Sequence, residues 1–566
     1  MTSHSPTLEA AVAEALRACV RACFGCEPPV APETTFEIPA ESALGDLAST
    51  LAMKLAKPLR RPPLEIAHRL ADALNTALST SPVHQQVERL DVKPPGFLNL
   101  FFTQQALTAI VEEVRQAGPR YGTAALGHGQ RVSLEFVSAN PTGPLSVAHG
   151  RQAAVGDALG RILESVGFNV CREYFLNDEG TQMDLLGQSL YARYLEQLHR
   201  PATIPENGYQ GSYLVETAST LVRQQGSRWL DHTPATALPT FRKYAIDEML
   251  EAIREDLERF EVRFDRWTSQ AQLRADGHID RAIQELRHRD YVYEAEGALW
   301  FKSSALGDEK DRVLRKQDGS WTYVAPDIAY HADKFARKFT RLIDLWGPDH
   351  HGYVPRLKAA VQALTGRGAD LTILIVQLVT LSRRGVPIPM STRQGQFVSL
   401  REIVQEVGKD AARFLFLTRR IESHLDFDLE LAKTQSLDNP VYYVQYAHAR
   451  ICSVLAFARD ERAARPSQGN AALLTQPAEL AVLRLLRQFP LVVQMCARQL
   501  EPYGLTWYLR NLAASFHGFY DTCRVVSDDQ ALSAARLALV DAVRQVLLNG
   551  LTLLGVSAPA VMTRES

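Results

Sequence analysis

Where an apolar strand gives way to a helix near residue 146, the chain carries polar residues suited to holding a phosphate. The segment LEFVSANPTGPLSVAHGRQAAVGDALGRI places Asn140 first, then a Pro-Thr-Gly-Pro turn, and then Ser146, His149 and Gly150. Backbone N–H groups and the positive end of a helix bind phosphate at such a junction, and an imidazole there stabilises developing negative charge. A single loop histidine more often has a structural role, so the surrounding sequence must decide between the two interpretations.

The elements around this junction predict a parallel sheet. Strand-like residues from Arg131, a helix from about Gly150 to Val166 and the strand FNVCREYFLND form a β-α-β unit, whose ligand-binding loops follow the carboxyl ends of the strands. Residues 186–260 are polar and helical in pattern, which predicts an insertion. The segments TRLIDLWG and TILIVQLVTL are apolar enough to resume the sheet as buried strands.

Three domains are predicted along the chain. Residues 1–118 begin with an amphipathic helix and end in the strand pair VERLDVKPPGFLNLFF, which predicts a small α/β domain. The linker QAGPRYGTAALGHGQ marks the first boundary, and residues 119–400 hold the predicted sheet with its helical insertion. In residues 401–566 Leu, Ala and Arg recur at three- and four-residue spacing, which is typical of a helical bundle.

Composition indicates an ordinary globular protein. The 566 residues are 46% hydrophobic and 22% charged, which argues against disorder, fibrous repeats and disulfide scaffolds. A formal charge of -2 requires any RNA contact to use local basic patches. Seven scattered cysteines predict reduced thiols, and Cys23 and Cys26 lack a second ligand pair, so we assign no metal. The N-terminus lacks the features of a secretory signal, and no apolar run reaches about 18 residues, so we expect a cytoplasmic protein that does not span a membrane.

Six blocks of polar and glycine-rich sequence are spread from residue 135 to residue 454. They read EFVSANPTGPL followed by SVAHG, REYFLNDEGTQ, TYVAPDIAYHADKF, LWGPDHHGYVPRLKAA, MSTRQGQFVSL and DNPVYYVQYAHARICSV. In this order they resemble class I arginyl-tRNA synthetases of the bacterial type. The resemblance extends from the N-terminal domain to GVSAPAVM near the end, which makes it more specific than any single motif.

The resemblance implies a multidomain α/β and all-α fold. It predicts an N-terminal domain that contacts the tRNA elbow, a Rossmann-type catalytic domain and a helical anticodon-binding domain. It also implies that the arginine carboxylate attacks the α-phosphate of ATP, giving arginyl-adenylate and pyrophosphate, and that the terminal ribose hydroxyl of arginine tRNA then takes the arginyl group. Magnesium accompanies ATP in this family, no tightly bound cofactor is expected, and members are usually monomeric.

Candidate arginine-binding residues follow from the same resemblance. A guanidinium is planar with five donors, so its pocket needs carboxylates placed for bidentate hydrogen bonds. Glu135 and Asp327 match the family's guanidinium-binding positions, and Tyr323 lies four residues before Asp327. Asn140 matches the position that binds the substrate's α-amino or carboxylate group, and Asp178 is a further candidate for this pocket. For Asp327 the alternative interpretation is a helix N-cap.

Candidate ATP-binding residues lie in the family's adenosine-binding loop and in its H-x-G-H signature. Gly347, Asp349 and His350 match the adenosine-binding loop, where glycine permits close approach of the backbone and Asp349 can accept from ribose hydroxyls. His149 aligns with the second histidine of the H-x-G-H signature and, with Gly150 beside it, is expected to face the phosphates.

The mobile-loop signature of the family, K-M-S-K-R, reads P-M-S-T-R in this chain. Met390 is expected to contact ATP, and Ser391 and Arg393 are expected to act in catalysis. Pro389 and Thr392 stand where the family has lysines, so Arg393 is the remaining cation of this motif.

The first signature also departs from the family pattern. Ser146, a further candidate catalytic residue, replaces its first histidine and Ala148 its glycine, and Gly143 stands where some members carry a compensating lysine. Loss of one electrostatic donor costs on the order of 3 kcal/mol, which would slow adenylation about a hundredfold. The remaining histidine, Arg393, the helix end and a cation such as Arg151 are expected to stabilise the phosphates, and the Ser146 hydroxyl can donate a hydrogen bond.

For RNA, the segment from Tyr442 to Arg450 mixes aromatic and basic residues, as stacking on splayed bases requires. Aromatic residues at helical spacing usually fill cores, so only Tyr446 and Arg450 are predicted to contact tRNA.

Three functions remain open from the sequence. The favoured one is an arginine–tRNA ligase, because the guanidinium pocket and both RNA-binding ends are present. The second is a paralogue that transfers activated arginine to another acceptor. The third is a non-catalytic, regulatory tRNA-binding protein, which would bind tRNA or arginine without consuming ATP.

Overall fold

A computed structural model describes residues 8–39, 41–81, 83–388, 398–460 and 465–562. The chain divides into two compact units. The first holds residues 1–121, 447–490 and 511–547, and the second holds residues 122–446, 491–510 and 548–566.

The N-terminal part of the first unit is a four-stranded antiparallel sheet with helices. Its elements are α1 (Leu8–Phe24), β1 (Phe36–Glu37), β2 (Leu47–Ser49), α2 (Leu51–Leu59), α3 (Pro63–Ser79), β3 (Val87–Lys93), β4 (Phe97–Phe102) and α4 (Gln104–Ala117). The strand order is β1-β2-β4-β3, and the predicted strand pair is confirmed because β3 and β4 are antiparallel neighbours. Helix α1 buries Leu8, Val12, Leu16 and Val20, since residues four apart share one helix face.

The second unit is built on a five-stranded parallel sheet. Its first elements are β5 (Arg131–Glu135), α5 (Val147–Ser165), β6 (Asn169–Leu176), α6 (Thr181–Gln197), α7 (Ser212–Gln225), α8 (Pro234–Arg259), β7 (Arg266–Ser269), α9 (Gln270–Ala275), α10 (His278–His288), β8 (Val292–Ala295), β9 (Ala298–Phe301) and β10 (Arg312–Arg315). Then come α11 (Val324–Ala336), β11 (Arg341–Trp346), α12 (Val354–Thr365), β12 (Leu371–Ile375), β13 (Val379–Arg383), β14 (Val386–Pro387), α13 (Leu400–Val407), α14 (Lys409–Phe416), β15 (Leu425–Asp428) and α15 (Leu429–Lys433).

The order of the parallel sheet is β12-β11-β5-β6-β7. The predicted β-α-β unit is confirmed, because β5 and β6 are parallel neighbours with α5 between them in the chain. The predicted helical insertion is present as α6, α7 and α8, which share a core that includes Leu190, Leu214 and Phe241. The small antiparallel sheet β10-β9-β8 was not predicted.

The segment TILIVQLVTL is two strands rather than the single buried strand that its apolar run predicts. It divides into β12 and β13, and β13 pairs with β14 and β15 in a separate sheet. Strand β12 is at the edge of the parallel sheet, so only Leu371 among its residues is fully buried. The correction follows from strand position, which hydropathy alone does not reveal.

The predicted C-terminal helices are confirmed. They are α16 (Pro440–Asp460), α17 (Pro477–Gln499), α18 (Tyr503–Thr522) and α19 (Gln530–Leu554). Helices α17 and α19 are long and apolar enough to cross a membrane by length and composition alone. In the most apolar 18-residue stretch of each helix, 50% of the residues of α17 and 61% of those of α19 are buried inside the protein. Core helices have the same length and composition, so these features also fit core helices.

Arg413 of α14 joins three distant segments of the second unit. Its fully buried guanidinium donates to the carbonyl oxygens of Leu554 (3.2 Å) and Phe260 (2.9 Å) and to the carboxylate of Asp157 on α5. Gly555 follows Leu554 with φ +67°, and a Cβ there would meet the Arg413 guanidinium. These hydrogen bonds therefore hold the end of α19 next to α5, the helix whose first turn contains His149.

Candidate active site

The order in which the chain adds strands to the parallel sheet reverses between β5 and β11. From β5 the chain proceeds to β6 and β7 on one side, and it later returns to β11 and β12 on the other side. The loops after β5 and β11 therefore diverge and leave a crevice, which is where ligands bind in open parallel sheets. Glu135 ends β5, and Gly347 and Asp349 directly follow β11, so both predicted ligand-binding segments start at this crevice.

The start of α5 fixes the orientation of His149. Ser146 is the N-cap residue, and its backbone N–H donates to Nδ1 of His149 at 3.1 Å. The Ser146 hydroxyl oxygen lies 3.1 Å from the same nitrogen. Because Nδ1 accepts, the neutral ring carries its proton on Nε2. Burial lowers the pKa of His149 to about 4, against the attraction of Asp349, so the imidazole is a neutral donor at physiological pH.

The adenosine-loop candidates lie beside this turn. The charge of Asp349 acts on His149, and a Cβ on Gly347 would lie 3.8 Å from Nε2 of Gln152 on α5. The same Cβ would lie 2.6 Å from Oδ1 of Asp349, so a larger residue at 347 would displace the Asp349 carboxylate. His350 contacts Asp349 at 3.4 Å, and both side chains are exposed. The structure thus brings the two predicted ATP-binding segments together.

Gly150 and Arg151 have structural partners. A Cβ on Gly150 would lie 2.7 Å from Leu400 and 3.2 Å from Phe416, so this glycine permits close packing of α5. The expectation that Arg151 stabilises phosphate is wrong, because its buried guanidinium donates to four backbone carbonyl oxygens. Those oxygens belong to Gln377, Leu378, Arg420 and Ser423. Burial lowers the pKa of Arg151 to about 10.

The P-M-S-T-R motif lies outside the described residues, and with it Met390, Ser391 and Arg393. The chain is described again from residue 398. Ser399 forms an antiparallel bridge with Ser146, and the Leu400 N–H donates to the Leu145 carbonyl at 2.7 Å. The first described residues after this motif therefore lie next to the first signature.

Three carboxylates form a row across neighbouring strands, hereafter the carboxylate row. Asp344 on β11 is the register partner of Glu135 on β5, and Glu135 is the partner of Glu173 on β6. All three are buried. Such a row of like charges inside a protein requires compensating cations.

Helix α11 and its C-cap residue supply partners for the row at three-residue spacing: His331, Lys334 and Arg337. The Lys334 ammonium donates to Glu135 at 2.6 Å and to Asp344 at 3.0 Å. His331 Nε2 lies 2.8 Å from Asp344, and Arg337 donates to both oxygens of Glu173 at 2.8 and 3.0 Å. Residues three apart share a helix face, so one face of α11 neutralises the row.

The three carboxylates differ in how readily they ionise. Burial opposes ionisation of each, but Lys334 and His331 together lower the pKa of Asp344, and Lys334 and Arg337 lower that of Glu173. For Glu135 burial outweighs the attraction of Lys334, and the nearby Asp344 charge adds to it, so its pKa is raised. Glu135 is the least compensated member of the row.

Glu135, His331 and Asp344 are also of metal-ligand types, with ligand atoms within 4.8 Å of one another. The Lys334 ammonium lies between two of these carboxylates and occupies the place that a cation would take. The cluster therefore suits an internal lysine better than a divalent ion.

Asp327 is held on the first turns of α11. The helix begins at Val324 with Tyr323 as the N-cap residue, so the N-cap interpretation of Asp327 is wrong. Its carboxylate accepts from the Tyr353 hydroxyl at 2.6 Å, and burial raises its pKa. Tyr323 is 73% exposed and lies one turn before Asp327, where it is free to meet a ligand.

The turn after β5 is strained. Val137 and Ser138 have φ of +66° and +39°, a region that is unfavourable for a β-branched residue and costs about 1–3 kcal/mol. The turn directs the Ser138 hydroxyl to Glu135 at 3.1 Å and leads to Asn140, whose amide donates to Gln182 at 2.8 Å. Strain of this kind clusters at ligand sites.

Asp178 is tied to the start of α9. Its carboxylate accepts from the Ser269 hydroxyl and from the Ala271 N–H at 2.9 Å. It also lines a cavity of about 630 Å³ with Asp184 and Arg242. These partners give Asp178 a local structural role beside its predicted one.

A larger cavity of about 830 Å³ opens beside β12 and the start of α12. Its lining includes His351, Gly352, Ile375 and Gln377, but none of the described residues that were predicted to bind arginine or ATP. Sequence reasoning did not find it.

The tRNA candidates lie on α16. Tyr446 stacks on Tyr442 with ring centroids 6.0 Å apart and planes 7° apart. The Arg450 guanidinium lies 4.1 Å above the Tyr520 ring. Both candidates are partly exposed, so their outer surfaces can meet a base.

Sequence reasoning missed His331, Lys334, Arg337, Asp344 and Glu173. A signal was present, since an acidic residue inside a buried apolar strand needs a partner, and the cations recur every third residue in YHADKFARK.

Three family models match the chain in succession. They are "Arginyl tRNA synthetase N terminal domain" at residues 6–102, "tRNA synthetases class I (R), catalytic domain" at residues 110–422, and "DALR anticodon binding domain" at residues 444–562.

Curated relatives cover nearly the whole chain. One, named arginine–tRNA ligase, from Geobacter sp. (strain M21), is 46% identical over 559 residues and covers 97% of this chain and 100% of its own. Another of the same name, from Syntrophotalea carbinolica, is 45% identical and covers 94% and 95%. The solved arginyl-tRNA synthetase of Thermus thermophilus matches with a TM-score of 0.75 at 24% identity, covering 98% and 100%, and this likeness concerns the fold.

Proposed function

Because the chain belongs to the arginyl-tRNA synthetase family and is an arginine–tRNA ligase of class I, we propose that arginine and ATP meet in the crevice between β5 and β11. The observation that carries this proposal is that Glu135 ends β5 and the loop from Gly347 to His350 follows β11, on the two sides of the switch point of the sheet, with the charge of Asp349 acting on His149. Arginine, ATP and tRNA are the substrates of the family.

Glu135 and Asp327 are the proposed guanidinium ligands. Each Glu135 oxygen already accepts one hydrogen bond, from Lys334 or from Ser138, and retains a second lone pair. Asp327 accepts from Tyr353 through one oxygen only. The planar donors of arginine can therefore reach both carboxylates, with Tyr323 beside them and Asn140 and Asp178 toward the α-amino and carboxylate end.

His149, Gly150, Gly347, Asp349 and His350 form the proposed ATP site. The arginine carboxylate oxygen attacks the α-phosphorus, the bond to the bridging oxygen breaks, and pyrophosphate leaves. Nε2–H of neutral His149 and the N–H groups of the first turn of α5 donate to the phosphate oxygens on which negative charge grows.

Magnesium is the proposed companion of ATP, where it would offset phosphate charge. Met390, Ser391 and Arg393 are proposed to cover the phosphates from the P-M-S-T-R motif. Ser146 is proposed to support His149 rather than to donate charge itself, because its N–H and hydroxyl both lie against Nδ1.

The transfer step needs bound tRNA. Tyr446 and Arg450 are proposed to contact its anticodon, and residues 1–118 its elbow. We further propose domain boundaries at residues 118 and 400, a monomer, and a cytoplasmic location without membrane attachment.

Attachment of labelled arginine to purified arginine tRNA, with ATP and magnesium, tests the proposal. We expect arginine-specific charging, no charging with lysine, and at least a tenfold increase in the KM for arginine in Asp327→Asn, because a charged hydrogen bond is worth about 1.5–3 kcal/mol. Normal KM in that variant would contradict the pocket assignment. Adenylation without transfer to tRNA would favour a different acceptor, and tight tRNA binding without ATP consumption would favour a regulatory protein.

A further inference from the structure

The carboxylate row leaves Glu135 with less cationic support than either neighbour. Among the described residues, Asp344 is paired with His331 and Lys334, and Glu173 with Arg337 and Arg266. In the described part of the chain Glu135 has one ion-pair partner, the Lys334 ammonium, and it shares that ammonium with Asp344.

The hydrogen bonds of Lys334 define where Glu135 can receive a substrate. The ammonium is fully buried, and its ring contact with Tyr330, 4.2 Å from the centroid, limits its movement. It binds Oε2 of Glu135, while the Ser138 hydroxyl binds Oε1. The carboxylate is thus fixed from two directions, and its unused lone pairs define a plane for bidentate contact.

We propose that Lys334 is a positioning residue for arginine recognition, whose ammonium keeps Glu135 ionised and turns its free lone pairs toward the substrate guanidinium. This inference rests on the proposed role of Glu135 as a guanidinium ligand. Lys334 itself is not a ligand, because its donors are directed at the two carboxylates and its side chain is closed off from solvent.

Removal of the ammonium would leave Glu135 buried between two other acids. The titratable groups that face the cluster come from three elements: Tyr330, His331 and Lys334 on α11, Asp344 on β11 and Glu173 on β6. Without Lys334, burial and the charge of Asp344 would raise the pKa of Glu135 further, which favours the protonated carboxyl. Since a carboxyl with a raised pKa ionises only above that pKa, arginine binding would return as pH rises.

Steady-state charging by Lys334→Met across pH 6.5–9 tests the inference. We expect the KM for arginine to rise about tenfold or more at pH 7, the scale of a lost charged contact, and to fall toward the wild-type value as pH rises. The KM for ATP should stay within about twofold, because Lys334 donates to Glu135 and Asp344 and to none of the proposed ATP-binding residues that the structure describes. A merely structural defect would change both constants and would not recover with pH.

Lys358→Met is the matched control, since it makes the same change at an exposed position on the neighbouring helix α12. It should leave both constants unchanged. Circular dichroism and thermal unfolding of each variant would report whether the fold is retained.

The double variant Glu135→Gln with Lys334→Met keeps the inference falsifiable if Lys334→Met folds poorly, because it removes the unpaired buried charge. If Lys334 acts through Glu135, the double variant should match Glu135→Gln in its KM for arginine and show no recovery with pH. An additional tenfold increase over Glu135→Gln would overturn the inference while the pocket assignment stood. An unchanged KM in Glu135→Gln would overturn the pocket assignment as well.

Discussion

Residue 146 is a serine at a position where the family signature has a histidine. This serine contacts His149. The Ser146 hydroxyl and N–H both lie 3.1 Å from Nδ1 of His149, so this site offers hydrogen bonds but no imidazole of its own. Ser146→His would restore a second ring at the phosphate turn. We expect it to raise the rate of arginyl-adenylate formation at least tenfold, as one electrostatic donor is worth about 3 kcal/mol at best.

Ser146→Ala is the matched variant, because it removes the hydroxyl without adding a ring. Pyrophosphate exchange with arginine tRNA present would measure both. A rate for Ser146→His no higher than wild type would show that the first signature does not limit activation in this enzyme.

The neutrality of His149 has its own test. With a pKa of about 4, the ring carries no charge at any pH above about 5, so its donor at Nε2 does not titrate in the working range. Since ATP itself titrates near neutral pH, we expect the KM for ATP to follow the same pH profile from pH 5.5 to 8 in wild type and in His149→Gln. An inflection near pH 6.5 that disappears in His149→Gln would contradict this expectation.

Individual site residues could be predicted from the sequence only where they stand in matched motifs. Glu135 and Asp327 were predicted, but their partners were not, because Lys334 lies 199 residues from Glu135 in the chain. The contact depends on the register of β5 against β11 and on which face of α11 covers the sheet. Neither quantity is encoded in a local pattern.

At the scale of elements, α5 is packed closely at its start and in its middle. Leu400 and Phe416 touch its start at Gly150, and Asp157 in its middle accepts from the buried Arg413. The pKa of Asp157 is lowered because Arg413 and Arg161 outweigh the effect of burial, so the ion pair persists at neutral pH. The helix that presents His149 is therefore held by side chains from distant elements.

The turn after α19 completes this packing. Gly555→Ala would place a Cβ against the Arg413 guanidinium and would also strain a residue at φ +67°. We expect a loss of about 2–5 kcal/mol in the free energy of unfolding, from backbone strain and overpacking together. Urea denaturation followed by circular dichroism would measure it.

Gly366→Ala is the matched control for Gly555→Ala, because it introduces the backbone strain without the overpacking. Gly366 has φ +69° and open space where the Cβ would lie. It should cost only about 1–2 kcal/mol. Equal losses in the two variants would show that the Arg413 side chain yields to the new methyl group.

Strands and helices in which hydrophobic residues recur at a clear spacing were predicted correctly. The position of a strand at the edge of a sheet and the break between two consecutive strands were not predicted. The apolar run that contains β12 and β13 gives no sign of the break between Ile375 and Val379. That break arises because β13 pairs with β15, a partner from much later in the chain. Hydropathy reports burial, but pairing decides where a strand ends.

At the scale of the whole molecule, a net charge of -2 must coexist with binding to a polyanion. Contacts with tRNA then depend on local basic groups, which are screened by salt. We expect the KM for tRNA to rise at least about tenfold between 50 and 200 mM salt, while the KM for arginine changes less than about twofold because its proposed ligand Glu135 is buried. Equal salt effects on the two constants would contradict separate sites of these kinds.

The hydrogen bonds from the Arg413 guanidinium to the Leu554 carbonyl oxygen have a consequence for folding during synthesis on the ribosome. The acceptor is translated 141 residues after the guanidinium that it receives. At an elongation rate of about 5–20 residues per second, Arg413 waits roughly 7 to 28 seconds for this partner. During that interval the nascent catalytic core carries an incompletely satisfied cation beside α5, so the emerging chain acquires its final active-site scaffold only when the last helix has left the ribosome.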